Sequence, residues 1–172
     1  MAPGLASPGR RFGFERWPSF GDGEKRVWQN LIDEARAAML PKAPAPIVGS
    51  DRDPDAVAAA RRNAGQAAAP ASASIEWRIA DVRELEAGSG PPSVVVTNPP
   101  YGERLGTPDK TMQSFWRIFG GRLKAMNGHV AFVLGTDAVV RSLGMRPTWD
   151  RKLRNGPLAV SLCRYELGGR RR

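Results

Sequence analysis

Asn98-Pro99-Pro100-Tyr101-Gly102 is the segment best suited to chemistry. Consecutive prolines stiffen a turn and keep the residue before them out of helix. Such a turn holds the Asn98 carboxamide oxygen and the Pro99 carbonyl oxygen in place. Both oxygens can accept hydrogen bonds from one flat amino group, and the Tyr101 ring can stack on the ring that carries it. The apolar run Ser93-Val94-Val95-Val96-Thr97 leads straight into this turn. Two acids hold comparable places. Asp51 closes the run from Ala45, and Asp81, followed by Val82, comes just after Ile75-Glu76-Trp77-Arg78-Ile79. Each has a structural alternative: a turn residue or cap for Asp51, a helix cap for Asp81.

The elements that must position these residues follow from period and punctuation. Residues 12–20 carry four large aromatics in nine positions and predict an ordered, irregular arm that packs rather than stacks on bases. Val27, Trp28, Leu31, Ile32, Ala35 and Met39 form one stripe of a helix over 24–40, with Asp22 as its cap and Pro41 as its stop. A strand ends at Asp51. Asp53-Pro54 then starts a helix, with the acid as cap and the proline in the first turn. Gly65 to Ser74 reads as a loop. Residues 75–79 alternate and predict a half-exposed strand near an edge. Residues 93–97 are continuously apolar, as a buried parallel strand is. A helix over about 110–126 places Met112, Phe115, Trp116, Phe119 and Leu123 on one face. A strand over 129–134, a short helix over 137–143 and a hairpin turning at Asn155-Gly156 complete the chain. Strands alternating with helices predict an α/β fold with a mostly parallel sheet. Ligands of such sheets bind at the carboxyl ends of the strands, where Asp51, Asp81 and Asn98 to Tyr101 stand.

Composition narrows the chemistry. The 172 residues carry 26 Lys and Arg against 17 Asp and Glu, a net charge of +9 that remains +6 without the Arg170-Arg171-Arg172 tail. A folded domain this basic predicts an anionic partner, with nucleic acid first. A single cysteine, Cys163, excludes a disulfide framework and a Cys-cluster zinc site, and a single histidine, His129, excludes a two-His metal site. His129 opens an apolar run and reads as the start of a strand. No stretch reaches the roughly 18 apolar residues of a membrane span, and the N-terminus lacks a signal-type apolar core. The expectation is a cytoplasmic chain with no metal.

Asn-Pro-Pro-Tyr resembles the motif of class I S-adenosylmethionine-dependent methyltransferases that act on amino nitrogens. Extended to Asn-Pro-Pro-Tyr-Gly-Glu-Arg-Leu at 98–105, it is similar to the bacterial THUMP-domain 23S rRNA guanine-N2 methyltransferases. Residues 11–17 (Arg-Phe-Gly-Phe-Glu-Arg-Trp), residues 49–54 (Gly-Ser-Asp-Arg-Asp-Pro) and the Asn155-Gly156 hairpin carry the same likeness. The resemblance covers essentially the whole chain. It implies a Rossmann-like sheet with a C-terminal antiparallel hairpin, in one domain over 1–172: an arm plus helix over 1–40 and a sheet core over 41–172. It implies S-adenosylmethionine as cofactor, with Asp51 on the ribose hydroxyls, Arg52 where an apolar residue usually covers the adenine, and Asp81 with Val82 at the adenine amino group. It implies that Asn98, Pro99, Pro100 and Tyr101 hold the guanine, with Arg104 near phosphate, and that the methyl group goes to N2 of a guanine in large-subunit rRNA. Transfer to adenine N6 in DNA or RNA, or to a glutamine amide, shares the tetrapeptide and stays open. So does an inactive fragment that only binds nucleic acid.

One expected part is absent. Sheets of this class begin with a strand ending in an acidic, Gly-rich loop that approaches the methionine part of the cofactor. No Gly-x-Gly follows an apolar strand here, and Gly21-Asp22-Gly23 comes after Trp-Pro-Ser-Phe. In the usual order 3-2-1-4-5 that first strand is central. Without it a gap of roughly 9–10 Å opens unless its neighbours close up. The expectation is a chain truncated at its N-terminus or half of a split enzyme. An upstream segment or partner chain would then carry the Gly-rich loop and a THUMP RNA-binding domain.

Overall fold

The computed structural model describes residues 12–66, 74–86, 91–101 and 110–168. The chain divides into two compact units, residues 1–80 and 81–172, each with its own sheet.

The first unit starts with the aromatic arm. A 3-10 turn over Gly13–Arg16 precedes helix α1, Asp22–Ala37. Phe14 is the hub. Its ring centroid lies 5.4 Å from Phe12, 5.3 Å from Phe20, 5.1 Å from Trp28 of α1 and 6.4 Å from Trp17. The arm therefore packs onto the helix, as expected. An open cleft of about 470 Å³ beside it is lined by Phe14, Trp17, Phe20, Val27, Trp28 and Leu31, and by none of the predicted site residues. The helix cap is Gly21 rather than Asp22. The Glu24 carboxylate accepts the Gly21 N–H at 3.0 Å, and Asp22, in the first turn, pairs with Lys25 at 3.0 Å. Both acids sit where the helix dipole favours them.

Strand β1, Ile47–Asp51, pairs in parallel with β2, Ile75–Ile79. Helix α2, Pro54–Gln66, connects them, packs on both and buries Val57. It runs through Gly65 instead of stopping there.

The second unit holds a 3-10 turn (Val82–Glu84), β3 (Val94–Thr97), α3 (Lys110–Ala125), β4 (Val130–Gly135), α4 (Asp137–Ser142), β5 (Trp149–Asn155) and β6 (Leu158–Glu166). The strand order is β3-β4-β6-β5, with β3 and β4 parallel and β6 antiparallel to both neighbours. Phe119 and Leu123 of α3, Leu143, and the inward residues Ala131, Val133, Cys163 and Tyr165 form the core. Val82, Leu85 and Val95 pack at its margin. Helices α3 and α4 meet closely: a Cβ at Gly120 would collide with the Leu143 carbonyl.

Two expectations are corrected here. Asn155 pairs with Leu158, so the hairpin turns at Gly156-Pro157 rather than Asn155-Gly156. Pro157 has no N–H for the ladder and takes the second turn position, while Gly156 supplies the positive φ (60°) at the first. The second correction concerns β3, which is not buried on both faces. Val95 packs on the core, but Val94 is 61% and Val96 76% exposed. β3 pairs with β4 alone and β1 with β2 alone, so the described strands make two sheets and not one. Among the described residues β1 and β3 each pair on one side only. Among the described residues, too, no helix is long and apolar enough to cross a membrane.

Candidate functional site

The turn after β3 is held from two sides. Pro99 is buried, while Asn98 and Pro100 are exposed. The Trp116 indole Nε1–H, on the buried face of α3, donates to the Pro100 carbonyl at 3.0 Å. A buried tryptophan needs an acceptor for its one donor, and this one spends it on fixing the turn. The Tyr101 hydroxyl donates to Asn98 Oδ1 at 2.5 Å, closing the turn over both prolines. That bond orients the Asn98 amide. A carboxamide oxygen has two acceptor directions, so Asn98 Oδ1 can hold the tyrosine and one further N–H together. The structure thus brings Asn98, Pro99, Pro100 and Tyr101 together as one anchored unit, with Asn98 exposed and Pro99 buried. Gly102 to Leu105, including Arg104, lie outside the described residues.

Asp81 caps the 3-10 turn. Its Oδ1 accepts the Arg83 backbone N–H at 2.8 Å and Arg83 Nε at 2.9 Å, and Oδ2 accepts Arg83 Nη2 at 2.6 Å. This is the bidentate geometry in which arginine matches a carboxylate. Hydrogen bonding to Asp81, and then the carboxylate charge, push the Arg83 pKa up. Val82, half-buried, packs against the core. The structural alternative for Asp81 is therefore realised, and a ligand amino group reaches this carboxylate only if the arginine fork shifts. Helix α3 touches both this turn and, through Trp116, the Pro100 turn, so one helix positions both.

In the first unit, Asp51 ends β1 with an exposed carboxylate. Its Oδ1 accepts the Asp53 N–H at 2.9 Å, and Asp53 Oδ1 accepts the Asp55 N–H at 2.8 Å. Asp53 is thus the cap of α2, as expected. Asp51 keeps acceptor capacity toward solvent, and Arg52 beside it is exposed. His129 has a structural place. Its Nδ1 lies 3.0 Å from the Ser93 N–H and 2.8 Å from Ser93 Oγ, which ties the start of β4 to the start of β3.

Sequence reasoning placed Trp116 and Arg83 in no site. Trp116 was legible only as one apolar position on α3. Its indole N–H was the signal, since a fully buried one must find an acceptor somewhere.

Residues 7–163 match the model of UPF0020, the RMKL-like methyltransferase domain. A Synechocystis protein, slr0064, named as an RNA methyltransferase, is 33% identical over 97% of this chain and 42% of its own length. Ribosomal RNA large subunit methyltransferase K/L of a Shewanella species is also 33% identical, over 97% of this chain and 23% of its own. The chain therefore spans less than half the length of these relatives. The crystal structure of SMU.472, solved as a complex with SAH, superposes with a TM-score of 0.71 at 25% identity, over 95% of this chain and 42% of that one. Matched over nine-tenths of its length, the chain belongs to the RMKL-like methyltransferase domain family.

Proposed function

We propose that this chain serves S-adenosylmethionine-dependent methyl transfer to the exocyclic N2 of a guanine in large-subunit rRNA. The observation that carries the reading is the anchored turn: two acceptor oxygens, Asn98 Oδ1 and the Pro99 carbonyl, on a loop fixed by Trp116 and Tyr101. The names of the RNA-methyltransferase relatives and the SAH in the SMU.472 complex support the substrate class and the cofactor. An rRNA substrate implies a cytoplasmic location.

The cofactor supplies an electrophilic methyl group on a sulfonium sulfur. Asp51 fits the role of acceptor for ribose hydroxyls, because its carboxylate is exposed at a strand end with only one oxygen engaged locally. Asp81, with Val82 beside it, fits the adenine amino group once Arg83 releases it. Arg52 offers an aliphatic stem that can cover a ring face.

A guanine amino nitrogen is a weak nucleophile because its lone pair is delocalised into the ring. Asn98 and Pro99 take its two hydrogens, which sets the direction of the lone pair. As the N–C bond forms and the sulfonium becomes a neutral sulfide, positive charge grows on nitrogen, and the same two oxygens stabilise it. The alkylated nitrogen is acidic and loses its proton to water, so no histidine is required. The Tyr101 ring supports the base, which must leave its stack to reach the turn.

The reading includes a strand and Gly-rich loop supplied by an upstream segment or partner chain, together with a THUMP RNA-binding domain. That β1 and β3 each pair on one side only among the described residues supports the strand. A transfer assay with methyl-labelled cofactor tests the reading on rRNA, duplex DNA and protein, with the strand–loop–helix segment added. Label is expected in rRNA alone. Label in DNA or protein, or in none of the three, contradicts it.

A further inference from the structure

The positive charge of the chain is unevenly placed. Eleven of the 26 Lys and Arg and nine of the 17 Asp and Glu fall in residues 1–80, a net +2. The remaining fifteen and eight fall in residues 81–172, a net +7. Within the second unit, β5 stands out. It is an edge strand, paired with β6 only, and all seven of its residues are exposed. Arg151, Lys152 and Arg154 share it with one acid, Asp150. Lys152 is engaged by Asp137 at 3.2 Å and Ser161 Oγ at 3.0 Å. Arg151 and Arg154 make no ion pair among the described residues.

Topology gives this strip a place. β5 is antiparallel to β6, β6 to β4, and β4 is parallel to β3, so β5 and β3 end on the same rim of the sheet. Register makes this specific. Thr97, the last residue of β3, is level through Val133 and Cys163 with Asp150. Arg151, Lys152 and Arg154 follow that level on β5 as Asn98 to Tyr101 follow it on β3. The two lie three strand spacings apart, about 14 Å. Trp149, 46% exposed, shares a face of the strand with Arg151 and adds an aromatic surface, while Arg154 lies on the opposite face, so the two arginines flank the free edge from both sides. An arginine beside an exposed ring, with a second arginine across the same edge, can hold a nucleic-acid backbone without reading its sequence.

We propose that the β5 edge, through Arg151 and Arg154, is the track for the RNA backbone flanking the base held at Asn98–Tyr101. This rests on the RNA reading above and adds the surface that carries the strand. Charged side chains along an edge also discourage pairing with other sheets. Edge protection alone would leave RNA affinity unchanged on mutation, which gives the test its contrast.

Fluorescence anisotropy of the full chain with a labelled rRNA hairpin, its target guanine in the loop, tests this between 50 and 200 mM salt. R151E/R154E is expected to weaken binding at least tenfold at 100 mM salt and to lower the salt slope by about 1.4–1.8, two phosphate contacts' worth. R26E/R62E, the same charge change in the first unit, should stay within twofold of wild type. If charge reversal disturbs folding of the hairpin, R151Q/R154Q carries the same slope test. Equal weakening by both charge-reversed pairs, or none by R151E/R154E while wild type binds, overturns the track and leaves the RNA reading standing. Wild type that, with the strand–loop–helix segment added, binds the hairpin without salt dependence, or not at all, overturns both.

Discussion

At the scale of single residues, the account rests on a division of labour inside one turn. Asn98 and Pro99 present acceptors, Pro100 hands its carbonyl to Trp116, and Tyr101 both orients Asn98 and offers a ring. The two jobs of Tyr101 separate by mutation. Y101F keeps the ring and loses the bond to Asn98 Oδ1, and should lower kcat about three- to tenfold with KM for RNA little changed, since one neutral hydrogen bond is worth about 1 kcal/mol. Y101A removes the ring as well and should cost about a hundredfold in kcat/KM, as loss of a stacked base does. Steady-state kinetics with both variants checks this. Equal effects of the two would show that the ring does nothing beyond holding the hydroxyl. This turn was the most legible part of the site, because prolines and a preceding apolar run announce a rigid loop at a strand end. Asp81 was legible only as a choice. The same carboxylate can face a ligand or cap a turn, and whether the fork of Arg83, two residues on, closes on it depends on side-chain conformation, which spacing does not specify.

Among the elements, α3 decides whether the site exists. Its buried face carries Phe119 and Leu123 into the core and Trp116 to the Pro100 turn, and it also packs against the Val82 turn. Its approach to α4 depends on Gly120, where a methyl group would strike the Leu143 backbone. Neighbouring Gly121 has open space. G120A should therefore destabilise the second unit by about 3 kcal/mol, the upper end for overpacking, and lower its Tm by about 12–24 °C. G121A should stabilise it by about 0.5–1 kcal/mol through helix propensity. Thermal melts followed by circular dichroism separate the two, and matching shifts would contradict the close α3–α4 approach. The helix itself was readable from its apolar stripe. The Gly120 contact was not, since the partner that excludes a side chain there lies more than twenty positions away. The hairpin shows a similar limit: Asn-Gly is a strong local signal, yet Pro157 cannot donate to the ladder and moves the turn by one residue.

For the whole molecule, the fold class and strand sequence were legible because α/β periodicity is local. The division of the described strands into two sheets was not legible, because which strands pair is set by contacts distant in sequence. The apolar run at 93–97 reads as buried on both faces, but only the face of Val95 is covered among the described residues, while Val94 and Val96 stand exposed on the other. The central claim, that the Asn98 turn directs a methyl group to an amino nitrogen of guanine, is tested by the product. Large-subunit rRNA is methylated with labelled cofactor, digested to nucleosides and separated, for wild type and N98A in the presence of the strand–loop–helix segment. The account predicts label in N2-methylguanosine and a loss of at least a hundredfold in N98A, comparable to removing a donor from an oxyanion hole. Label in a ribose, a ring carbon or N6-methyladenosine, or undiminished labelling by N98A, would contradict it.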